Sequence, residues 1–293
     1  MKKRNRLITY TVWSILMLGL VLSLSTKPVK AATRSVKHGG TVTINPGDTV
    51  SVDASGIPGN DTGFFGYTYL KFKAKKTGWL RVTSPRFSGD FRLLDENKAP
   101  ITKNNSLSHM DDTVPDYFIS YQANNVNYGV KAGKTYYLRV EVSNVMVNGG
   151  EIYYILLDKY DIKTSFKPVT DIGGKKKSKA KNIKKGKKIP GLLPVNTLGV
   201  RWYKIKLKKN QKLKIYMSYY GTGQCHFLAK PKKGKSYRYD IFDHNVSTNG
   251  LSGDNGKVKI IKTKNKLKKG TVVYVKIYND KRSQGGVYTL KWK

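Results

Sequence analysis

Tyr69-Leu70-Lys71-Phe72-Lys73-Ala74 is followed, after two more lysines, by Leu80-Arg81-Val82. The same pattern returns 133 residues later without a gap, as Trp202-Tyr203-Lys204-Ile205-Lys206-Leu207, two more lysines, and Leu213-Lys214-Ile215. In both places apolar residues alternate with charged ones, which is the period of a half-buried strand. Three further blocks match in the same order. Phe91-Arg92-Leu93-Leu94 aligns with Cys225-His226-Phe227-Leu228 at 134. Lys131-Ala132-Gly133 with Tyr137-Leu138-Arg139-Val140 aligns with Lys268-Lys269-Gly270 and Tyr274-Val275-Lys276-Ile277 at 137. Gly149-Gly150 with Ile152-Tyr153-Tyr154-Ile155 aligns with Gly285-Gly286 and Val287-Tyr288-Thr289-Leu290 at about 135. Four ordered blocks at a near-constant offset indicate a duplicated unit.

The surrounding sequence supports strands throughout. Val42-Ile44, Val50-Val52 and Leu138-Val140-Val142 alternate with polar residues, and Gly, Asn, Asp and Pro punctuate them. No stretch beyond residue 40 has a 3.6-residue apolar period of helical length. The expected fold is all-β: two tandem jelly-roll-like β-sandwiches, at 35–166 and 183–293, joined by a Lys-rich linker at 167–182. Each copy exceeds 100 residues, enough for a sandwich core. A lysine run of this kind suits a flexible tether.

Residues 1–31 read as a secretory signal peptide. A basic start (Lys2, Lys3, Arg4, Arg6) precedes an apolar run from Leu7 to Ser25, and Val29-Lys30-Ala31 fits cleavage after Ala31. The expected location is extracellular, with cell-wall association. The single cysteine, Cys225, excludes internal disulfides and Cys-based zinc clusters.

The chain carries 56 Lys+Arg and 18 Asp+Glu, a net charge of +38. The excess is not evenly spread. Residues 32–168 hold 17 basic and 13 acidic residues; residues 169–293 hold 33 and 5. The lysines of the second copy follow the strand period. Lys204, Lys206 and Lys208 alternate with Ile205 and Leu207; Lys212 and Lys214 flank Leu213; Lys257 and Lys259 flank Val258; and Lys262, Lys264 and Lys266 continue the row. With Lys175, Lys176, Lys177, Lys184 and Lys185 they form the expected polyanion-binding surface. Thirty of the 33 basic residues are Lys, a point charge suited to diffuse attraction rather than to bidentate reading. Anionic cell-wall polymers or acidic glycans are the expected partners, and an anionic lipid surface would also be attracted. No nucleic-acid-binding motif is present, and export argues against intracellular DNA.

No Gly-x-Ser-x-Gly or His-Glu-x-x-His motif occurs. Cys225 and His226 are adjacent, so in a strand they point to opposite faces and form no local dyad. Asp243-His244-Asn245 reads as a turn with Asx hydrogen bonds. A non-catalytic protein without a cofactor is expected. Asp111, Asp112 and Asp116 are the best local oxygen cluster for a structural calcium, although their spacing is not that of an EF-hand. Trp79, Trp202, Tyr219 and Tyr220 are candidates for glycan stacking, which would make the chain a pair of carbohydrate-binding modules.

Each copy therefore runs through an aromatic opening (Tyr69 or Trp202), a turn, a Leu-x-Val/Ile strand and a central aliphatic strand. Lys-x-Gly with a Tyr-rich strand and a closing Gly-x-Tyr-x-Leu follow. This order resembles the bacterial pre-peptidase C-terminal domain. The resemblance implies a secreted jelly-roll-like sandwich with an accessory role: adhesion, matrix or substrate binding beside secreted hydrolases, sometimes with structural calcium. The second copy departs from it in being poor in the acids that would hold calcium.

Overall fold

The computed structural model describes residues 31–55, 67–84, 89–107, 125–142, 145–148, 151–154, 159–170, 173–231, 236–241 and 258–293. The leader stretch over 1–30 and the calcium candidates Asp111, Asp112 and Asp116 lie outside these residues.

The regular structure of the described residues is almost entirely strand. The first lobe contains β1 (Thr33–Lys37), β2 (Thr41–Thr43), β3 (Thr49–Asp53), β4 (Tyr67–Lys73), β5 (Gly78–Thr83) and β6 (Gly89–Leu94). It continues with β7 (Asn105–Leu107), β8 (Val126–Val130), β9 (Thr135–Val142), β10 (Val145–Asn148), β11 (Glu151–Tyr154) and β12 (Lys159–Pro168). The second lobe contains β13 (Lys181–Asn182), β14 (Ile189–Leu193), β15 (Val200–Lys206), β16 (Lys214–Thr222) and β17 (Cys225–Pro231). It ends with β18 (Tyr237–Ile241), β19 (Val258–Lys262), β20 (Val272–Tyr278) and β21 (Gly285–Trp292).

Each lobe is two sheets over one core. In the first, a sheet of order β1-β3-β12-β5-β8 faces one of order β2-β4-β9-β6-β7. In the second, β14-β21-β16-β19 faces β13-β15-β20-β17-β18. The two lobes share their wiring. β2 runs parallel to β4 as β13 does to β15, and every other matching pair is antiparallel. Only β1, parallel to β3, and the hairpin β10–β11 have no counterpart among the described residues.

The ladders fix which residues correspond, and they correct two of the four sequence matches. The 133 and 137 offsets hold: Leu70 pairs with Leu138 as Tyr203 pairs with Val275. The central strand shifts by two residues. Phe91 sits opposite Val140, and Phe227 sits opposite Ile277, so Phe91 corresponds to Phe227 and not to Cys225. A shift of two keeps every side chain on its face, which is why the pattern could not reveal it. The last block is a different strand altogether. Ile152-Tyr153-Tyr154 lies in the extra hairpin, whereas the strand equivalent to β21 is β12. Val82 pairs with Thr164 and Ile215 with Trp292, which places Tyr160 and Ile162 at the positions of Tyr288 and Leu290.

The cores follow from this register. Leu70, Phe72, Leu80, Val82, Phe91, Leu93, Leu138, Val140, Tyr160 and Ile162 are buried together in the first lobe. Tyr203, Ile205, Leu213, Ile215, Phe227, Ala229, Val275, Ile277, Tyr288 and Leu290 take their places in the second. Volume is exchanged between neighbours. Gly191 lacks a side chain because the Tyr288 ring fills its space; a Cβ there would sit 2.2 Å from the ring. The Tyr288 hydroxyl lies 2.8 Å from that of Tyr203, so the polar tip is satisfied inside the core.

The lysine-rich segment read as a tether belongs, from residue 173, to the second lobe. Gly174 exchanges two backbone hydrogen bonds with Trp202, a 3-10 turn spans Lys177–Lys179, and β13 pairs with β15. Ile183 is buried in the core. The second unit therefore begins about ten residues before the expected boundary. Charge did not prevent ordering: both residues of β13 are exposed, and the segment is held by backbone pairing and by the buried Ala180 and Ile183 that flank it.

The lobes are in contact. All of β8 is buried, and it meets β16 and β21. Trp79 of β5 stacks on Tyr220 of β16, with centroids 5.4 Å apart and planes 22° apart. The Val195 amide donates to the Gly129 carbonyl at 3.0 Å, and the Val195 side chain is buried in the first lobe's core. Backbones approach closely here: a Cβ on Gly129 would meet the Leu193 carbonyl at 2.8 Å. Leu192 and Val287 share the Tyr220 face of their sheet and are buried. The sheets carrying β5 and β16 thus form the junction. The sheets carrying β4 and β15 have their outward faces turned away from it, and are called outer sheets below.

Candidate polyanion-binding surface

The expected lysines fall into three groups. Lys204 and Lys206 point outward from β15, beside the exposed Lys175, Lys176 and Lys177 around the 3-10 turn. Lys212, Lys214 and Lys262 lie at the far end of β16 and on β19, away from the junction. Lys184, Lys185, Lys208, Lys264 and Lys266 are exposed on turns, where the Lys185 ammonium donates to Gln211 at 2.9 Å. Lys257 lies outside the described residues, and Lys259 pairs with Tyr216 along β19.

Among the described residues of the second lobe, the contact between a carboxylate and a basic side chain joins Asp280 Oδ1 to His226 Nε2 at 3.1 Å. That hydrogen bond is the main reason the Asp280 carboxyl is held below its usual range, against a small opposing effect of burial. No lysine of this lobe has a carboxylate partner among the described residues. Some are placed against each other: Lys214 is directly opposite Lys262 in the ladder. Like charges in that relation destabilise a sheet, so the lobe carries electrostatic strain that a bound polyanion would relieve.

The outer sheet of the second lobe adds residues that the sequence reading missed. Trp202 faces Lys276 across the β15–β20 ladder, and Lys204 faces Tyr274. Tyr278 completes the row on β20. The Lys276 ammonium lies 3.9 Å from the Tyr278 centroid and 5.9 Å from that of Trp202; the Lys177 ammonium lies 4.9 Å from Tyr274. Arg238 Nη2 donates to the Tyr278 hydroxyl at 3.4 Å. At one end of this face, Lys206, Leu207, Lys208, Lys269 and Gly270 line a depression of about 430 Å³. The signal was present in Tyr274-Val275-Lys276-Ile277-Tyr278, whose alternation puts Tyr and Lys on one face.

The first lobe carries the same face with one of its cations paired to an acid. Tyr69, Lys71, Tyr137 and Arg139 stand where Trp202, Lys204, Tyr274 and Lys276 stand. Here Arg139 bridges to Glu141 at 3.1 Å and covers the Tyr67 ring at 4.0 Å, while Lys98 covers Tyr69 at 4.3 Å. Asp90 sits opposite Glu141 across β6 and β9. Tyr278 and His226 replace these two acids in the second lobe.

The expected stacking platform is not assembled from its four residues. Tyr219 is fully buried in the core, and Trp79 and Tyr220 stack on each other at the junction. Only Trp202 is half-exposed on an outer face. Cys225 is buried in the second core, while His226 stacks on Tyr278 on the opposite side of the strand. Asp243-His244-Asn245 lies outside the described residues. No cluster of three metal-binding side chains occurs among the described residues, and none of their helices is long and apolar enough to cross a membrane.

No family model matches the chain, and no curated protein does. Among solved structures, the CUB1-EGF-CUB2 region of rat MASP-1 aligns over 88% of this chain and 99% of its own, at 7% identity and a TM-score of 0.21. The human MASP-1/3 counterpart aligns over 84% and 99%, at 7% and 0.20. Tripeptidyl peptidase 2 aligns over 78% of this chain and 21% of its own, at 9% and 0.24. These figures assign neither a family nor an activity.

Proposed function

We propose that the protein is a secreted, non-catalytic binding protein of two tandem β-sandwich modules, retained on anionic extracellular polymers by its second module. One observation carries this reading. Residues 173–293 hold 33 Lys+Arg against four Asp, and their lysines lack carboxylate partners among the described residues. Solubility requires a net charge of only about 2–8 on a small domain. A surface with this excess is instead matched to a partner of opposite charge. The basic-apolar leader with Val29-Lys30-Ala31 supports export, and the motif order similar to pre-peptidase C-terminal domains supports an accessory role. The first module, nearly neutral, acts as a spacer or binds a different ligand.

The test is retention on isolated cell walls and on an immobilised acidic glycan across a salt gradient. Binding that depends on displaced counterions weakens linearly in log-log form as salt rises. Near-complete elution between 0.05 and roughly 1 M NaCl is expected. Retention unchanged at molar salt would refute the proposal.

A further inference from the structure

We infer that the outward face of β15, β20 and β17 is a ring-and-charge binding surface for an anionic polysaccharide. This inference rests on the proposed polyanion binding and names its site and ligand class. The face alternates two kinds of side chain. Trp202, Tyr274 and Tyr278 present half-exposed rings, and Lys177, Lys204, Lys276 and Arg238 stand between them. Outward residues repeat about every 6.8 Å along a strand and about 4.8 Å between strands. Rings and cations thus form a grid on the scale of single sugar residues. A pyranose lays its C–H face on an aromatic ring, while its carboxylate, sulfate or phosphate meets the neighbouring cation.

A surface that needed only charge would not need the rings. The exposed lysines of the turns already supply charge without them. The comparison between lobes points the same way. The matched face keeps its aromatic and cationic positions in both copies and sets cations over rings in both; in the first copy Arg139 is also paired with Glu141, whereas Lys276 and Lys177 have no carboxylate partner among the described residues. In the second, Tyr278 and His226 stand in place of Glu141 and Asp90. That exchange adds a ring to the face; acids remain at that end, with Asp280 Oδ1 3.1 Å from His226 Nε2 and Asp240 paired with His226 along the β17–β18 ladder. Single-stranded nucleic acid also combines stacking with positive charge. The leader sequence and the preference for Lys over Arg favour the glycan.

The experiment measures binding of the protein to four probes at fixed low salt: polygalacturonate, long-chain polyphosphate, neutral dextran and oligo(dT). Three variants are compared: Trp202→Ala with Tyr274→Ala, Lys262→Gln with Lys264→Gln and Lys266→Gln, and Tyr69→Ala. The ring variant is expected to weaken polygalacturonate at least about fivefold while changing polyphosphate less than about twofold. The lysine variant is expected to weaken both, and Tyr69→Ala neither. Trp202→Phe with Tyr274→Phe, which keeps the rings, is expected to restore polygalacturonate binding and so to separate ring loss from misfolding. If polygalacturonate and polyphosphate bind but the ring variant leaves both unchanged, this inference is overturned and the polyanion reading survives. If neither binds, the polyanion reading itself has failed. Tighter binding of oligo(dT) than of polygalacturonate, with the same loss in the ring variant, overturns the glycan in favour of nucleic acid.

Discussion

The Trp79–Tyr220 stack makes the contact between lobes measurable. Trp79→Ala removes a half-buried indole, its stack on Tyr220, and the Nε1–H hydrogen bond to Asn127 Oδ1 at 2.8 Å. The hydrogen bond is worth about 1 kcal/mol and the lost packing about 2–3 kcal/mol. The hydrogen bond and most of the packing concern the first lobe alone. The stack itself contributes about 0.5–1.5 kcal/mol beyond area burial, and a double-mutant cycle with Tyr220→Ala isolates it. Mutations in lobes that only share a tether would add, within about 0.3–0.5 kcal/mol. The expected coupling is therefore about 1 kcal/mol, read from urea unfolding of the four proteins by far-ultraviolet circular dichroism. Docked lobes are also expected to unfold in a single transition. A coupling below about 0.3 kcal/mol, or two separated transitions in the unmutated chain, would refute the rigid junction.

Two further outcomes concern pH. Burial pushes the Tyr160 phenol up to about 12, so its neutral form stabilises the fold below pH 10 and that contribution disappears as pH rises through about 12. Relative to Tyr160→Phe, the unmutated chain is expected to lose about 2–3 kcal/mol over that interval in alkaline unfolding; parallel curves would contradict the burial. For Asp48, burial pushes its carboxyl up. The Arg34 guanidinium at 2.6 Å and the amides of Asn45 and Ala32 outweigh this and hold it below the usual range. Its contribution is present above about pH 4 and is lost as pH falls through the lowered value. Asp48→Asn is expected to cost about 1–3 kcal/mol at neutral pH and progressively less in acid, measured by urea unfolding at stepped pH; a constant gap would show that the charge is irrelevant.

The all-β class was legible because strand alternation is local and survives divergence. Lys71-Phe72-Lys73 and Lys204-Ile205-Lys206 differ in volume but not in facing. Pairing was less legible. Ile152-Tyr153-Tyr154 and Val287-Tyr288-Thr289 have equivalent patterns, yet one lies in a hairpin and the other crosses the core, since the hairpin insertion moves the true partner Tyr160 out of step. The tether was misjudged for a related reason. A run of lysines says that side chains are solvated, but backbone pairing of β13 with β15 asks nothing of them. The lysine sites were legible as outward positions. Of the rings on this face Trp202 was singled out, but not Tyr274 or Tyr278, which come to stand beside it only once β15 and β20 are paired.

The duplication also explains how one lobe became so basic without losing its fold. The described acids of the first lobe stand outside its apolar cluster, and the best-held one has a local purpose. Asp48 ties the β2–β3 turn to Ala32 and Arg34, on either side of the start of β1. The equivalent turn residue in the second lobe is Lys187, where no strand corresponding to β1 is present among the described residues. Glu141 and Asp90 serve a face, and they too are replaced. The substitution leaves Tyr203, Ile205, Val275 and Leu290 in the places of Leu70, Phe72, Leu138 and Ile162, so the core that sets the sheet spacing is retained. Selection on the surface could therefore proceed at little cost to packing. The cost falls on like-charge pairs such as Lys214 and Lys262, which sit directly opposite each other in the β16–β19 ladder.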